Sequence, residues 1–392
     1  MNLNIPVVIV GFALNGLGIV RSLAPLGIRC FILYNDGKDP CISTRFGTKV
    51  RVPNIAAEDI LPALRRIREE TGERPVLFLT NDFTVASISE HREAFADLVR
   101  FPLPAHDTVA ALLQKDRCRE LYRQAGIDQP DTVDLAQGGD DGGLEALHYP
   151  CILKASEKPD GYSARFRKAY IVENAGEARA VFASMKGFVE NAIVQEWIEG
   201  EDTDIYFGLS IVDEAGRATA AFCGQKVNSW PPKFGNTARC VSAPAMQHRV
   251  LKNTADFFRS VGLAGYGALE FKRDPRNDRL CVIEPTVFRV DYQAEVATLN
   301  GINLPLAYYC LMTGQPAPEM KLSDRPVGWS DPVYMAHLRR ARRIASAPRL
   351  PPMFDAYWRW NDPAPWLALH WGSALSSAGG ALRRLRALMA PA

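Results

Sequence analysis

The stretch that most constrains the fold of this chain runs from Ala268 to Gln293 and carries two carboxylates, Glu270 and Glu284, inside apolar segments. Both segments are short and rich in β-branched residues, and the polar run 274–278 between them predicts a two-stranded hairpin. Opposed carboxylates in apolar strands repel each other and are costly to bury without a cation. A divalent cation satisfies both, since carboxylates and nucleotide phosphates commonly hold magnesium. The alternative is that both side chains point into solvent from a half-exposed hairpin.

Composition sets the broad class of the protein. The 392 residues are 47% hydrophobic and 23% charged, which allows two or three globular domains. The formal net charge of +2 gives no indication of nucleic-acid binding. The eight cysteines show no CxxC pair or zinc-ligand spacing, so we expect reduced, packed thiols. Without a signal peptide or a membrane-length apolar run, we predict a cytoplasmic location.

The first forty residues alternate strand, helix and strand, and a turn containing three glycines, Gly11, Gly16 and Gly18, opens the helix. A turn at a helix N-terminus suits anionic groups, because free N–H groups point outward there. The spacing is G-x4-G-x-G and not G-x-G-x-x-G, so the dinucleotide fingerprint is absent. Glycines needed for tight strand-to-helix packing explain the turn equally well.

Polar residues follow the next predicted strand, 75–79, at the carboxyl edge where parallel sheets bind ligands. They are Thr80, Asn81 and Asp82, and Asp82 is equally well explained as the cap of the next helix. The proline-containing run 101–104 then breaks the alternation. We therefore expect the first domain to end near residue 105.

Cations mark the middle of the chain. A predicted helix, 107–126, carries Lys115, and an apolar strand ends at Lys154. An anionic partner is expected for Lys154, because lysine is rarely buried without one. The loop 156–168 contains four cations, including Lys168, and no apolar periodicity. It suits a lid over phosphates, and the alternative is a solvated hairpin tip.

Further strands follow in an antiparallel order. Strand 192–198 enters the acidic turn 199–204, and strands 206–212 and 218–225 form a hairpin before Lys226. A helix and the carboxylate hairpin then close this part of the chain.

Five features of this chain occur in the order found in the ATP-grasp superfamily. They are a lysine on a helix, a lysine ending a strand, a cationic loop, a strand entering an acidic turn and a carboxylate hairpin. Over about residues 5–315 the chain resembles its carboxylate-amine ligase branch, with D-aspartate ligase-like and carbamoyl-phosphate-synthase-like proteins. The resemblance implies an α/β and α+β architecture. Its expected parts are a Rossmann-like domain (1–105), an ATP-grasp domain with antiparallel sheets (106–320, with a lid at about 127–198 and a catalytic subdomain at about 199–320) and a C-terminal extension (321–392).

The resemblance also implies roles for single residues. Glu270, Glu284 and Thr286 would hold magnesium or manganese against the β- and γ-phosphates of ATP. The family motif is E-x-N-x-R, whereas this chain has E-P-T-V-F-R, so Thr286 replaces the asparagine and Arg289 stands one position late. The nucleotide would be bound by Lys115, Lys154 and Lys168 at the phosphates, by Glu196, Trp197 and Ile198 at the adenine, and by Glu201 or Asp204 at the ribose.

These roles imply an ATP-dependent ligase that activates a small-molecule carboxylate as an acyl phosphate and joins it to an amine. Arg289 would contact an anion, and the general base stays open between Lys226 and Asp291. A homodimer is compatible with this function. Candidates for the substrate pocket, from related proteins, are Thr80, Asn81, Asp82, Trp230 and Lys233.

Two other functions remain to be weighed against the ligase. The first is an ATP-binding regulatory or scaffold protein with weak catalysis, which Thr286 at the asparagine position motivates. The second is a Rossmann-type oxidoreductase, which the glycine spacing disfavours.

Residues 331–392 differ in composition from the rest of the chain. They contain nine Arg, no Lys and three Asp, together with four of the seven Trp. Basic residues interleaved with Trp are typical of a segment that lies on an anionic membrane surface. We favour the other interpretation, an extension that packs its Trp side chains on the main body and turns its Arg side chains outward.

Overall fold

The computed structural model describes residues 1–102, 104–156, 162–167, 169–233, 235–344 and 349–371, without the side chains of residues 115, 116, 163 and 164. Residues 157–161 and Lys168 of the predicted cationic loop therefore lie outside the described residues. The same holds for residues 372–392.

The described residues form fifteen strands and thirteen α-helices. The strands are β1 (Val7–Val10), β2 (Cys30–Tyr34), β3 (Thr48–Arg51), β4 (Val76–Leu79), β5 (Thr132–Ala136), β6 (Cys151–Ala155), β7 (Tyr170–Val172), β8 (Asn191–Glu196), β9 (Ile205–Val212), β10 (Ala218–Trp230), β11 (Asn236–Ser242), β12 (Gly265–Arg273), β13 (Leu280–Val287), β14 (Gly328–Ser330) and β15 (Met353–Asp355). The helices are α1 (Ala13–Leu23), α2 (Ala57–Thr71), α3 (Asp82–Glu90), α4 (Arg92–Ala96), α5 (His106–Leu113), α6 (Lys115–Gln124), α7 (Tyr162–Arg165), α8 (Ala175–Ala183), α9 (Gln247–Ser260), α10 (Ala294–Leu299), α11 (Leu304–Met312), α12 (Pro332–Arg340) and a last helix from residue 364. No helix of the described part combines the length and apolar character that a bilayer crossing requires.

The chain divides into two compact units. The first contains Met1–Leu103, Val227–Ser242 and Phe288–Ala392, and the second contains Pro104–Lys226 and Ala243–Val287.

The first unit is built on a four-stranded sheet of order β3-β2-β1-β4, in which every pairing is parallel. Strands β1 and β4 are buried along their whole length, as expected for the continuous apolar runs in a sheet covered on both faces. Helix α1 connects β1 to β2, and helices α10 and α11 pack against α1. The Rossmann-like start that the sequence predicts is therefore present. Strands β11, β14 and β15 also belong to this unit.

The second unit contains two antiparallel arrangements. Strands β13, β12, β9 and β10 are neighbours in that order, and α9 covers one face of β9 and β12. The other sheet has the order β5-β8-β6-β7 and packs its apolar face against α8. Antiparallel sheets of this kind leave a second face for other contacts.

Two element boundaries differ from the prediction. The helix expected over residues 107–126 is broken at Gln114, whose extended backbone (φ −90°, ψ 125°) separates α5 from α6, so Lys115 begins a helix instead of lying within one. Strand β10 continues to Trp230, and Lys226 therefore lies inside a strand. A lysine interrupts the apolar pattern by which a buried strand is predicted. Its burial can be explained only by a residue that is distant in the sequence and neutralises its charge.

Candidate functional site

The two carboxylates of the predicted hairpin face each other across neighbouring strands. Glu270 on β12 is the direct cross-strand partner of Glu284 on β13. Beside them Phe271 pairs with Val282, which leaves Ile283 as an extra residue in a bulge. Bulges are frequent next to active sites, where they redirect a side chain. The hairpin and the opposed carboxylates are confirmed, whereas the bulge was not predicted.

The two faces of β12 have different surroundings. Gly267 lies against Phe258 on α9, and a Cβ atom at Gly267 would stand 2.6 Å from that ring. Leu269 and Phe271 lie on the same face and are fully buried. Since side chains alternate along a strand, Glu270 points to the face opposite α9.

A buried lysine neutralises one of the two carboxylates. Lys226 on β10 is 5% exposed, and its Nζ lies 2.8 Å from Oε1 and 2.7 Å from Oε2 of Glu270. The side chain of Glu270 is only 16% exposed, so neither charge is well solvated and each needs the other. Strands β10, β9 and β12 are neighbours, which brings the two residues together.

The donor set around these carboxylates fits magnesium that arrives with phosphates. Thr286 follows Glu284 by two residues and lies on the same face of β13, opposite the small side chain of Ala268. Among the described residues, no three His, Cys, Asp or Glu side chains form a group that could hold a metal ion. Two carboxylates and a hydroxyl are too few for a closed cage, but magnesium usually keeps water and phosphate oxygens among its ligands.

The predicted adenine hinge lies where β8 ends. The strand stops at Glu196, so Trp197 and Ile198 belong to the connection that follows. The N–H groups of Glu196 and Trp197 are already used, because they donate to the carbonyl groups of Asp131 and Pro150. Within the described part of the chain the N–H of Ile198 donates to no backbone acceptor, and the residue is 6% exposed. A backbone donor without an acceptor is rare in a buried residue, and such a donor is open to a ligand.

An arginine that the sequence did not single out holds the hinge glutamate. Nη2 of Arg276 donates to Oε1 of Glu196 at 2.9 Å, and Nη2 and Nε of the same guanidinium donate to Asp274 at 2.7 and 2.9 Å. Arg276 and Asp274 lie in the turn of the carboxylate hairpin. Hydrogen bonds from Arg276 lower the pKa of Asp274, and hydrogen bonds to Asp274 and Glu196 raise the pKa of Arg276. This triad ties the hinge to the hairpin.

Replacing Arg276 with Met is expected to lower the free energy of unfolding by about 1–3 kcal/mol at pH 7, because two buried carboxylates lose their shared donor. The folded-state pKa of Asp274 is depressed, so its stabilising contribution is present above about pH 4 and is lost as the pH falls through the folded pKa. The difference between variant and wild type should therefore shrink on acidification. Urea unfolding at neutral and at acid pH measures both effects.

The matched control is Arg249→Met. Arg249 pairs with Asp278 in the same turn, and both side chains of that pair are exposed. Its loss is expected to change the free energy of unfolding by less than about 1 kcal/mol. An R276M variant as stable as R249M at pH 7 would show that the triad is dispensable.

A second unpredicted cation lies beside the hinge. Lys272 follows Glu270 by two residues, on the same face of β12, and is almost fully buried. Its Nζ lies 5.2 Å from the ring centroid of Trp197 and 3.2 Å from the carbonyl oxygen of Gly200. The ammonium group fixes the tryptophan through a cation–π contact. Because Lys272 is two residues from Glu270 in a predicted strand, the sequence could have placed both side chains on one face.

The acidic turn after the hinge is internally bonded. Its residues Asp202–Asp204 form a single 3-10 turn. One carboxylate oxygen of Asp204 accepts the N–H of Glu201 at 3.0 Å, and the other accepts Nη2 of Arg273 at 2.9 Å. Glu201 is exposed. Of the two predicted ribose ligands, Asp204 already accepts hydrogen bonds within the turn and from Arg273, and Glu201 is the more accessible.

In the sheet β5-β8-β6-β7, Lys154 lies on the face opposite the apolar core. Cys151 and Leu153 on β6 pack against α8, so alternation places Lys154 on the opposite face. There Nζ of Lys154 lies 3.4 Å from Oε1 of Gln195. Its neighbours on this face, Ile152 and Ile193, are buried, whereas Lys154 itself is half-buried.

The other two predicted phosphate lysines are described only in part. Lys115 is the first residue of α6, and its side chain is outside the description. Lys168 lies outside the described residues altogether. The segment predicted to be an irregular loop contains the short helix α7, with Tyr162 buried in the core of the lid.

In the other unit Arg289 is held by two carboxylates. After β13 ends at Val287, Phe288 has a φ of +57°, which is rare for a bulky residue. Arg289 follows this left-handed residue directly. Its Nε donates to Asp82 and its Nη1 to Asp291 at 3.4 Å. Burial by itself lowers the pKa of Arg289, but the two carboxylates raise it overall, so the guanidinium remains charged.

The cap of α3 is Asn81, so the prediction of Asp82 as the cap is wrong. The side chain of Asn81 accepts the N–H of Thr84 at 2.8 Å, which is the bond that defines an N-cap. Asp82 is the first helical residue, and its carboxylate is directed at the arginine described above. Thr80 is buried and donates to the carbonyl group of Val10 at 3.0 Å.

The glycines of the N-terminal turn are explained by packing. Gly11 has a φ of +71°, and a Cβ atom there would stand 2.6 Å from a threonine hydroxyl. A Cβ atom at Gly16 would stand 2.4 Å from the ring of Phe12, and one at Gly18 would stand 3.3 Å from the Cβ of Glu295. The oxidoreductase alternative thereby loses the feature on which it rested.

The aromatic candidate of the substrate pocket also has a packing task. Trp230 stacks on His337 of α12, with ring centroids 5.3 Å apart and an angle of 13° between the planes. Lys233 has a φ of +74°, typical of a tight turn. Trp230 is therefore accounted for without a ligand.

The cysteines offer no nucleophile. All eight are buried and none forms a disulfide bond, as predicted. Burial raises the pKa of the Cys118, Cys151 and Cys281 thiols to about 11 and that of Cys30 and Cys223 to about 12. Because the thiolate is the reactive form, these groups are inert at neutral pH.

No protein-family model matches the sequence, and no curated protein matches it significantly. Solved structures do match. N5-carboxyaminoimidazole ribonucleotide synthetase from Thermus thermophilus shares 15% identity over 80% of this chain and 79% of its own, with a TM-score of 0.61. N5-carboxyaminoimidazole synthetase from Staphylococcus aureus, complexed with ADP, shares 14% identity over 83% of this chain and 81% of its own, with a TM-score of 0.63. The biotin carboxylase domain of Hydrogenobacter thermophilus 2-oxoglutarate carboxylase was solved with MgADP, ADP and bicarbonate. It shares 14% identity over 80% of this chain and 70% of its own, with a TM-score of 0.62.

These likenesses define the class of fold. A parallel N-terminal sheet followed by two antiparallel arrangements recurs over four-fifths of the chain. The chain has the ATP-grasp fold, as the sequence predicted. At identities of 14–15% the likeness shows the fold alone.

Proposed function

We propose that this chain is an ATP- and magnesium-dependent ligase that activates a carboxylate as an acyl phosphate and joins it to an amine. The observation that carries the proposal is the pair Glu270 and Glu284, opposed on neighbouring strands of an ATP-grasp fold with the buried Lys226 beside them. The neighbours support it, because two were solved with ADP or MgADP and one also with bicarbonate, a small carboxylate. A reaction that consumes ATP agrees with a cytoplasmic location.

Glu270, Glu284 and the hydroxyl of Thr286 are the residues that would hold magnesium. The ion supplies neutralisation of the phosphate charge when a carboxylate attacks the γ-phosphorus. No enzyme nucleophile is required, which agrees with the buried cysteines. Thr286 provides an oxygen ligand, so its replacement of asparagine is compatible with catalysis.

The nucleotide would lie along the second unit. The N–H of Ile198 is the buried donor that an adenine ring nitrogen can accept from, and Lys272 fixes the Trp197 ring next to it. Glu201 is the accessible acid for the ribose hydroxyl groups. Lys154, with Lys115 and Lys168 predicted from the sequence, would contact the phosphates.

Each of the two units offers one cation for contact with an anion. Lys226 is buried against Glu270 and would stand beside any anion bound at these carboxylates. Arg289 is directed by Asp82 and Asp291 and stays charged, which suits a planar contact with a carboxylate or an acyl phosphate. Asp291 is engaged with Arg289 and Lys226 with Glu270, so the general base stays open between them.

The experiment is a measurement of ADP release from ATP while panels of carboxylates and amines are supplied. The proposal expects release that needs magnesium and that rises with one carboxylate and, further, with one amine. Bound ATP with no carboxylate-stimulated release would instead support a regulatory or scaffold protein. Failure to bind ATP would overturn both functions.

A further inference from the structure

The C-terminal part of the chain exposes large aromatic side chains. Trp360 is 89% exposed and Trp371 is 74% exposed, and Leu367 between them is 54% exposed. Single exposed apolar residues are ordinary, but tryptophans exposed to this extent on one short segment mark an interaction surface. We call residues 353–371 the tryptophan segment.

The tryptophan segment is firmly held by the first unit. Asp362 is fully buried and accepts bonds from Nε of Arg21 at 2.9 Å, from the hydroxyl of Thr44 at 2.7 Å and from the N–H of Arg45 at 2.9 Å. Nη2 of Arg359 donates to Glu295 at 2.6 Å. The expectation that Arg side chains face outward and Trp side chains inward is therefore wrong at this place. Arg359 points inward and its neighbour Trp360 outward.

One of the two exposed tryptophans, Trp360, belongs to an aromatic cluster. Trp358 packs edge-on against Trp360 and Trp366, with centroids 5.3 and 5.4 Å apart. His370 lies 4.1 Å from Trp366. An aromatic cluster of this kind presents a preformed surface, so a partner would bind it without ordering a loose chain.

The exposed charges near this cluster are predominantly positive. The three acids among the described residues of 331–371 are all engaged by hydrogen bonds: Asp331 is buried and caps α12, Asp362 is buried, and the half-buried Asp355 accepts two backbone N–H groups. Four arginines at the end of α12 are exposed and form no ion pair within the described residues, namely Arg339, Arg340, Arg342 and Arg343. The N–H of Ala356 donates to the carbonyl group of Ser330, so the tryptophan segment and α12 begin side by side.

We propose that the tryptophan segment and the end of α12 form a docking surface for an anionic lipid bilayer. Tryptophan is favoured at the boundary between lipid and water, and exposed arginines are attracted to anionic headgroups.

Two other partners fit the surface less well. A second copy in a two-fold dimer would bring identical arginine clusters together, and like charges oppose such an interface. Single-stranded nucleic acid also stacks on tryptophan. However, Leu367 and Ile344 are exposed aliphatic residues, which stack on no base but enter a lipid interface.

The experiment is flotation of the full chain with vesicles of phosphatidylcholine alone or mixed with phosphatidylglycerol. Binding is expected only to the mixed vesicles, and it should weaken at about 0.5 M salt because surface charges are screened. The double variant W360A/W371A should bind at least about tenfold less, since both side chains are exposed and the fold does not depend on them. A variant with Arg339, Arg340, Arg342 and Arg343 replaced by Gln should lose the dependence on anionic lipid.

Matched controls are available in the same unit. Phe83→Ala removes an aromatic side chain that is 55% exposed elsewhere, and R65Q/R66Q/R68Q removes three exposed arginines of α2. Both should float like wild type. Equal flotation of W360A/W371A and wild type, or no flotation at all, overturns the proposal. It is also overturned if light scattering shows a dimer that W360A/W371A abolishes, or if an oligonucleotide binds and vesicles do not.

Discussion

The variant Glu284→Gln is expected to lose ATP-dependent turnover by about a thousandfold or more while keeping its fold. The magnesium would lose one of two carboxylate ligands, and metal stabilisation of the transferred phosphoryl group amounts to several kcal/mol. Glu284 is exposed on β13, so its replacement does not uncover a buried charge. Glu270 is the less suitable test, because its loss would leave the buried Lys226 without this partner and would also affect folding.

The measurement is magnesium-dependent ADP release, with circular dichroism and urea unfolding as checks of the fold. Glu214→Gln is the matched control, since Glu214 is an exposed glutamate in the turn between β9 and β10 of the same unit. E214Q should retain wild-type turnover. Wild-type turnover in E284Q would remove Glu284 from the metal site.

Replacing Asp362 with Ala is expected to lower the free energy of unfolding by about 3–5 kcal/mol, because the buried Arg21 then keeps only the longer ion pair with Glu295, at 3.8 Å, and the Thr44 hydroxyl loses its acceptor. Nε of Arg21 lies 2.9 Å from Asp362, and the two side chains are 7% and 0% exposed. Arg21 also donates to the carbonyl groups of Ala356 and Tyr357, so the variant weakens the attachment of the whole tryptophan segment. Urea unfolding followed by tryptophan fluorescence measures the loss.

The control for this variant is Glu70→Gln. Glu70 pairs with Arg29 in the same unit, but both side chains are about half exposed, so the cost should stay below about 1 kcal/mol. If D362A unfolds at the same urea concentration as E70Q, the buried pair does not hold the segment. Removal of the segment by truncation is a poorer experiment, since it would strip Arg21 and Glu295 of their partners together.

The parts of the fold that the sequence predicted rest on local patterns. Continuous apolar runs gave β1 and β4, and two apolar segments around a polar turn gave the hairpin of Glu270 and Glu284. A hairpin pairs residues close in sequence, so its register follows from the turn. The left-handed Phe288 and the bulge at Ile283 have no comparable signal, because either depends on the geometry of the neighbouring strand.

The parts that the sequence did not predict depend on distant residues. Lys226 interrupts an apolar strand and is explained only by Glu270, and Arg276 is explained only by Glu196 and Asp274. The inward turn of Arg359 depends on a glutamate 64 positions away. In each case a charge is buried because a partner from another element neutralises it. The spacing of residues along the chain does not predict such a partner.

The central claim, that the carboxylate hairpin of this ATP-grasp fold holds magnesium and ATP, is tested most directly by calorimetric titration with a non-hydrolysable ATP analogue. The account predicts saturable binding with magnesium present, weakened at least about tenfold by EDTA and by Glu284→Gln, and no binding of NADH. Equal affinity with and without magnesium in both proteins, or binding of NADH and not of the ATP analogue, would contradict it.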